Sequence, residues 1–221
     1  MAEQFEKPKK FSKEWFPYFW HYYKIHTISA LLILVLGVIT VVEFANKIIY
    51  DMSINYIATN MIAYETTEKI VQNAEKSIDD TSGDGEKHVS FAQLNFTPEA
   101  MQDLNQVTAL ENKLMSLFAS TDEMLFIFDE MMLRDVLSMN ATEGIFLPVK
   151  QWCTQNVAEE NLFMFGNEAF AVKLTDGGLL NQMGIDASDM YVAVRMNYEP
   201  DNEKLNLMLQ NCIKFANVLL N

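Results

Sequence analysis

One run of sixteen uncharged residues, 27–42 (TISALLILVLGVITVV), constrains this chain more than any other feature. Glu43 follows the run, and the apolar residues Phe44 and Ala45 extend it. A helix of about 18 residues rises roughly 27 Å, which is close to the roughly 30 Å hydrocarbon thickness of a bilayer. The run therefore predicts one membrane-spanning helix over residues 27–45.

A buried core helix and the hydrophobic part of a cleaved signal peptide are the two alternatives to a span. Cleavage is disfavoured because the run begins late in the chain and no small-x-small cleavage site follows it. The bulky residues Phe44, Ile48, Ile49 and Tyr50 occupy the exit instead. We therefore predict an uncleaved signal-anchor with a single pass.

The lysines on either side of the run differ in number. Residues 1–26 contain five lysines, whereas the twenty residues after Ala45 contain only Lys47. Positively charged flanks stay in the cytoplasm. The sequence thus predicts a cytoplasmic and interfacial aromatic segment over residues 1–26, a transmembrane helix over 27–45 and an extracellular domain over 46–221.

Aromatic residues crowd the segment immediately before the run, WFPYFWHYYKIH, residues 15–26. Rings with polar tips favour the headgroup level of a bilayer, so position beside a span explains them. A stacking platform for a nucleic-acid base or for a partner helix is the alternative. The predicted membrane-interface residues are Trp15, Phe16, Tyr18, Phe19, Trp20, Tyr22 and Tyr23.

The charge balance excludes one class of partner. The 16 basic and 30 acidic residues give a net charge of −14, whereas a nucleic-acid binder needs surplus Lys and Arg to neutralise phosphates. Residues 27–221 carry all of the acidic excess. Such a surface stays soluble and repels anionic lipid headgroups. We expect the lipid bilayer as a partner, and no nucleic acid.

The region after the span alternates strand and helix patterns. Residues 51–60 and 88–96 alternate apolar and polar positions, and the short apolar run 124–128 predicts a strand buried on both faces. This order of elements predicts an α/β fold in which helices flank a mostly parallel sheet of about five strands. Further strands are predicted over 169–174 and 190–196, and helices over 62–78, from the N-cap Thr97 and Pro98 to about Ser120, over 130–140, and from Pro200 and Asp201 onward.

The polar stretch after the first predicted helix partly matches a calcium loop. Asp80, Ser82 and Asp84 stand at positions 1, 3 and 5, and Gly85 stands at the turn-making position 6. Position 12 is Phe91 instead of the bidentate Glu that closes an EF-hand. The stretch predicts a possible, incomplete Ca²⁺ site, and a plain turn between helix and strand is the alternative. No other cofactor is expected.

The common catalytic signatures are missing from the sequence. It contains no G-x-S-x-G elbow, no phosphate loop, no G-x-G-x-x-G and no H-E-x-x-H motif. His88 is the only histidine after the membrane segment, and we interpret it as structural. Cys212 falls on the apolar stripe of the last helix, which favours a free buried thiol over a disulfide with Cys153. The sequence predicts no catalytic residue.

Several phrases together resemble a known group of sequences: FWHYYKIHTISALLILVLGVI, DMSINYIA, DDTSGDGEKHVSF, NKLMSLFASTDEMLFIFDEMMLRDVL, GIFLPV and MYVAVRM. The chain after Trp15 resembles uncharacterised single-span, membrane-anchored proteins of anaerobic Gram-positive bacteria. The resemblance implies an extracellular domain distantly similar to one lobe of solute-binding proteins. Residues 46–221 are too few for a two-lobed clamshell, so a ligand cleft between lobes is not implied.

Three functions are open at this point. The first is a membrane-anchored extracellular binding or accessory module without catalysis, whose partner is another membrane or envelope protein or a small ligand. The second is a structural subunit of a membrane complex. The third is a cell-envelope hydrolase that uses carboxylates.

Overall fold

The computed structural model describes residues 8–45, 47–139, 144–175 and 177–221. The chain divides into two compact units, one that ends at Ile48 and one that begins at Ile49. The first unit contains a single long helix, and the second is an α/β domain.

Helix α1, Trp15–Ala45, is 31 residues long and therefore about 46 Å in length. It begins twelve residues before the predicted span, because the aromatic segment is helical as well. Pro17 lies in its first turn, where a missing backbone N–H is tolerated. Within the described residues α1 is the one helix that is long and apolar enough to cross a membrane, and none of its most apolar window is buried by the chain.

The domain alternates strands and helices as the sequence pattern predicts, and most boundaries agree within two residues. The strands are β1 Met52–Ala58, β2 Val89–Asn95, β3 Leu125–Asp129, β4 Leu162–Phe165, β5 Glu168–Lys173 and β6 Met190–Val194. The helices are α2 Tyr64–Ser77, α3 Leu104–Ala119, α4 Glu130–Ser138, α5 Val149–Trp152, α6 Leu179–Gln182 and α7 Glu203–Leu219.

The described strands form one sheet in the order β2-β1-β3-β6-β5-β4. β1 pairs in parallel with β2 and β3, whereas the pairs β3–β6, β6–β5 and β5–β4 are antiparallel. The α/β class is confirmed, and the described residues form six strands against the predicted number of about five. The prediction of a mostly parallel sheet is wrong, because the sheet is parallel at one end only. β4 and β5 are joined by Gly166 and Asn167 alone, and a two-residue connection makes an antiparallel hairpin, because parallel strands need a long crossover.

Helices cover both faces of the sheet, so the strands alternate between two apolar cores. On one face Ile54 of β1 and Ile127 of β3 pack in a cluster with residues of α2 and α7, such as Phe215. On the other face Phe126 and Phe128 pack with residues of α3 and α4. Every residue of β1 and β3 is buried, which confirms the prediction that the run 124–128 is buried on both faces.

The helix predicted from Thr97 onward begins later than expected. Thr97 Oγ1 accepts a hydrogen bond from the Ala100 N–H at 3.2 Å, so the capping signal is used, but by a 3₁₀ turn at Ala100–Gln102. Asp103 is extended, with ψ at 110°, and this conformation ends the turn. Its side chain then caps α3 by accepting from the Asn105 N–H at 2.9 Å.

Candidate functional site

The sheet has a topological switch point between β1 and β3. From β1 the chain passes to β2 on one side and later to β3 on the other side, and all three strands are parallel. In open α/β sheets, ligands bind outside the carboxyl ends of the strands at such a point. We call the residues that follow these strands, 59–64, 96–104 and 129–131, the carboxyl edge.

Asp129 lies at this switch point, where β1 and β3 end. Its Oδ2 accepts hydrogen bonds from the backbone N–H and the hydroxyl of Thr59, both at 2.7 Å. Its Oδ1 accepts from the Met132 N–H at 2.8 Å and so caps α4. The side chain is 7% exposed. The carboxylate therefore joins the ends of β1 and β3 and is already occupied by donors of its own chain.

Tyr56 and Asn60 add a second contact at the same place. The Tyr56 hydroxyl donates to Asn60 Oδ1, and the tyrosine side chain is fully buried. Burial, and next the charge of Asp129, raise the pKa of Tyr56 far above its ordinary value. The hydroxyl therefore stays protonated and remains a hydrogen-bond donor throughout the physiological range.

Gln93 ties β2 to the segment that follows β1. Its Oε1 accepts from the Ile62 N–H at 3.0 Å, and its Nε2 donates to the Ile62 carbonyl at 3.1 Å and to Thr67 Oγ1 at 3.3 Å. The polar groups at the carboxyl edge thus hold the chain together instead of converging on an open cleft.

Large apolar side chains project from the same edge. After β1, Met61 is 72% and Tyr64 is 74% exposed; after β2, Met101 is 49% and Leu104 is 78% exposed; after β3, Met131 is 51% exposed. Each of the three parallel strands is therefore followed by exposed apolar surface. Sequence reasoning missed this feature, because the exposure depends on which loops share one edge of the sheet.

A second polar cluster lies at the opposite end of β3. Asn55, which is fully buried, donates to Glu123 Oε2 at 2.8 Å. Arg195 is 4% exposed and donates to the Ser120 carbonyl at the end of α3. Burial raises the pKa of Glu123, and hydrogen bonding from Asn55 opposes the rise. Two buried atoms of this cluster, Asn55 Oδ1 and Arg195 Nε, have no hydrogen-bond partner among the described residues.

Asp51, directly before β1, organises the loop that contains the predicted calcium ligands. Its Oδ1 accepts from the Thr81 N–H at 2.7 Å, the Thr81 hydroxyl at 2.8 Å and the Ser82 N–H at 2.9 Å, and its Oδ2 accepts from the His88 N–H at 2.8 Å. The buried amide of Asn211 on α7 bridges the carbonyls of Asp51 and Asp79. The loop is therefore anchored by hydrogen bonds to a carboxylate outside the predicted ligand set.

The predicted calcium ligands lie together in this loop. Asp80 accepts from the Ser82 hydroxyl at 3.0 Å, the Gly83 N–H at 2.6 Å and the Gly85 N–H at 2.9 Å, and these backbone donors lower the pKa of the Asp80 carboxyl. Asp84 accepts from the Glu86 N–H at 2.9 Å. These contacts describe a tightly hydrogen-bonded turn, and Ca²⁺ binding by Asp80, Ser82 and Asp84 stays a prediction.

Both cysteines are free, as favoured from the sequence. Cys212 is fully buried, and burial strongly raises the pKa of its thiol, so it is an unreactive core residue. Cys153 borders a cavity of about 330 Å³ beside the β4–β5 hairpin. The Lys150 ammonium group and the Glu168 carboxylate at that cavity pair with each other at 2.7 Å.

The aromatic residues predicted at the membrane interface lie on α1. The rings of Trp15 and Phe19 stack with centroids 4.8 Å apart, and those of Phe19 and Tyr23 stack at 5.4 Å. Tyr18 and Tyr22 form a second contact at 4.8 Å. Because these pairs are four residues apart, the rings form columns along the helix. Phe16 and Trp20 are more than half exposed.

Comparisons with protein-family models, with curated proteins and with solved structures found no match for this chain. The resemblance to single-span proteins of anaerobic Gram-positive bacteria stays a prediction.

Proposed function

We propose that this chain is a single-pass membrane protein whose α/β domain is an extracellular binding or accessory module without catalysis. The observation that carries the proposal is α1, whose 31 residues include an apolar window that the chain does not bury at all. A helix that is apolar all round is stable where lipid surrounds it, since its backbone polar groups are satisfied within the helix.

Two features support an anchor rather than a cleaved signal sequence, and support the proposed orientation. The uncharged run over residues 27–42 has sixteen residues, slightly more than the 7–15 apolar residues typical of a signal peptide. Five lysines lie within residues 1–26, against one in the twenty residues after Ala45. This asymmetry favours a cytoplasmic N-terminus and an extracellular domain.

The roles of the polar side chains support binding rather than catalysis. Asp129 and Glu130 are adjacent carboxylates at the switch point, where a hydrolase of this fold class would place its acid and base. Asp129 accepts three hydrogen bonds from Thr59 and Met132, and Glu130 pairs with Arg134 at 2.5 Å. Both carboxylates are thus engaged in contacts within the domain, so a carboxylate-dependent hydrolase is the less favoured alternative.

A structural subunit of a membrane complex is a second candidate, favoured by one observation. The rings of Trp15, Phe19 and Tyr23 form a column on one face of α1. Such a ridge of aromatic rings suits packing against a neighbouring transmembrane helix as well as it suits a headgroup layer.

Topology is tested with the full chain carrying a C-terminal tag in its native host. We expect the protein to stay in the membrane pellet at alkaline pH, to dissolve in detergent, and to lose its tag when protease is added to intact cells. Release by alkali alone, or a tag that is protected until the cells are lysed, would contradict the proposal.

Binding is tested by cross-linking in intact cells, followed by purification of the full chain in detergent. The matched control carries an unrelated transmembrane helix in place of residues 15–45. A partner that is cross-linked to both chains supports a binding domain. A partner that is lost with α1 supports the structural subunit, and turnover of cell-wall polymers by the purified chain would support the hydrolase.

A further inference from the structure

We infer that the carboxyl edge of the domain is a docking surface for a protein segment that carries apolar side chains flanked by Lys or Arg. The inference rests on the proposed binding function and names its site and its partner chemistry. The surface is defined by Met61, Tyr64, Met101, Leu104 and Met131, and we call it the apolar edge patch.

The position of the apolar edge patch in the sheet supports the inference. The side chains of the apolar edge patch follow β1, β2 and β3, the three strands whose carboxyl ends meet at the switch point. That is the edge at which sheets of this class bind their ligands. The exposed fractions, from 49% to 78%, leave about half or more of each side chain in water, and covering that apolar surface with a partner is favourable.

The polar groups at the carboxyl edge indicate which kind of ligand it can bind. A small molecule would need a cleft with convergent polar groups. At this edge the carboxylate of Asp129, the amide of Gln93 and the hydroxyl of Tyr56 are engaged with their own chain. Beside these engaged groups the edge exposes apolar side chains together with several carboxylates, and Met and Tyr are side chains typical of protein interfaces.

The exposed charged residues beside the apolar edge patch are mostly acidic. The segments 59–69, 97–104 and 129–134 contain six acidic residues and two basic ones, Lys69 and Arg134, of which Arg134 pairs with Glu130. Glu65, Glu68, Glu99 and Asp103 are exposed there. A partner with basic residues around an apolar centre complements such a rim, whereas a second copy of this acidic domain or an anionic lipid surface would be repelled.

The test uses the full chain in nanodiscs of phosphatidylcholine and a phage-displayed library of random peptides, with binders to empty nanodiscs removed first. Peptides enriched on the chain are sequenced, and the strongest is synthesised and titrated against two double variants. Met61→Ser with Leu104→Ser removes two side chains of the apolar edge patch. Met115→Ser with Leu207→Ser removes one Met and one Leu side chain, 47% and 51% exposed, from elsewhere on the domain.

We expect enriched peptides that combine apolar residues with Lys or Arg. Their affinity should fall about tenfold or more in the first double variant and stay unchanged in the second, with equal thermal stability for both variants. Equal affinity for the two variants would overturn the site, and acidic peptides would overturn the partner chemistry. A library that yields no binder would overturn the docking surface, while the cross-linking experiment decides separately whether the domain binds a partner.

Discussion

Helix α1 and strand β3 are both uninterrupted apolar segments, yet their environments are opposite. The apolar window of α1 has none of its residues buried, whereas all five residues of β3 are buried. Length separates them: about 18 residues can cross a bilayer, whereas five extended residues span only the centre of a sheet. Both segments need cover from water, and α1 is long enough for a bilayer to supply that cover, whereas β3 is covered by the domain itself.

The domain and α1 also differ in how their polar side chains are hydrogen-bonded. The domain satisfies its buried carboxylates internally, since Asp51 accepts four hydrogen bonds and Asp129 accepts three. In helix α1 the hydroxyls of Thr27 and Thr40 bond locally, to carbonyls four residues earlier, at 2.9 Å. The buried carboxylates of the domain therefore have hydrogen-bond partners from distant parts of the chain. In α1 the backbone groups and these two hydroxyls are satisfied within the helix.

The largest effect is expected when a charge is placed in β3. Ile127→Arg buries an unpaired guanidinium at a position with no exposed surface, and we expect a loss of about 5 kcal/mol or more in the free energy of unfolding. Limited proteolysis of the domain measures the loss. Met115→Arg, at an exposed position of α3, is the control and should leave the domain folded. Membrane integration should be unchanged in both variants, because α1 is intact.

The same charge in α1 should give the converse result. Leu34→Arg places the guanidinium near the middle of the apolar run, at a cost of about 3 kcal/mol for membrane insertion. We expect a reduced fraction of the chain in the alkali-resistant membrane pellet and an unchanged protease resistance of the domain. An unchanged membrane fraction would contradict the assignment of α1 as the span.

Asp51→Ala tests the internal hydrogen bonding of the domain. It removes the acceptor for the Thr81, Ser82 and His88 donors, so we expect a loss of about 3 kcal/mol in stability. Proteolytic cleavage should appear first within residues 79–88, which the carboxylate anchors. Asp51→Asn keeps one acceptor oxygen and should lose less. Wild-type stability in Asp51→Ala would show that the carboxylate contributes little.

The sequence predicts most of this architecture, and particular residues explain the rest. The alternation over 51–60 and the apolar run 124–128 are strong local signals, and the structure confirms both strands. β4 was missed because LFMF has four residues and no alternation, although Gly166 and Asn167 are a two-residue hairpin signal. That hairpin accounts for the antiparallel pair β4–β5.

The candidate site was less predictable than the fold. Thr59 and Asp129 are 70 residues apart in the chain and meet only because β3 pairs with β1 on the side away from β2. Strand order is set by packing of whole elements, which local patterns do not encode. A usable signal was present all the same, since carboxylates stand directly before β1 and at the end of β3, where backbone donors need acceptors.

The smallest effect is expected at Glu123, and it depends on pH. Burial raises the pKa of this carboxyl in the folded domain above its value of about 4.5 in an unfolded chain, so the unfolded chain ionises first as the pH rises. The wild-type domain therefore loses stability from about pH 4.5 upward until the folded carboxyl is ionised as well. Glu123→Gln cannot ionise and still accepts a hydrogen bond from Asn55, so the variant should match the wild type near pH 4 and exceed it near pH 7. Chemical denaturation at intervals between pH 4 and pH 7 measures the difference, and Glu111→Gln, at an exposed glutamate of α3, corrects for the change in net charge. A difference between variant and wild type that does not grow with pH would show that Glu123 is well solvated in the folded domain, so that burial does not set its protonation at this end of β3.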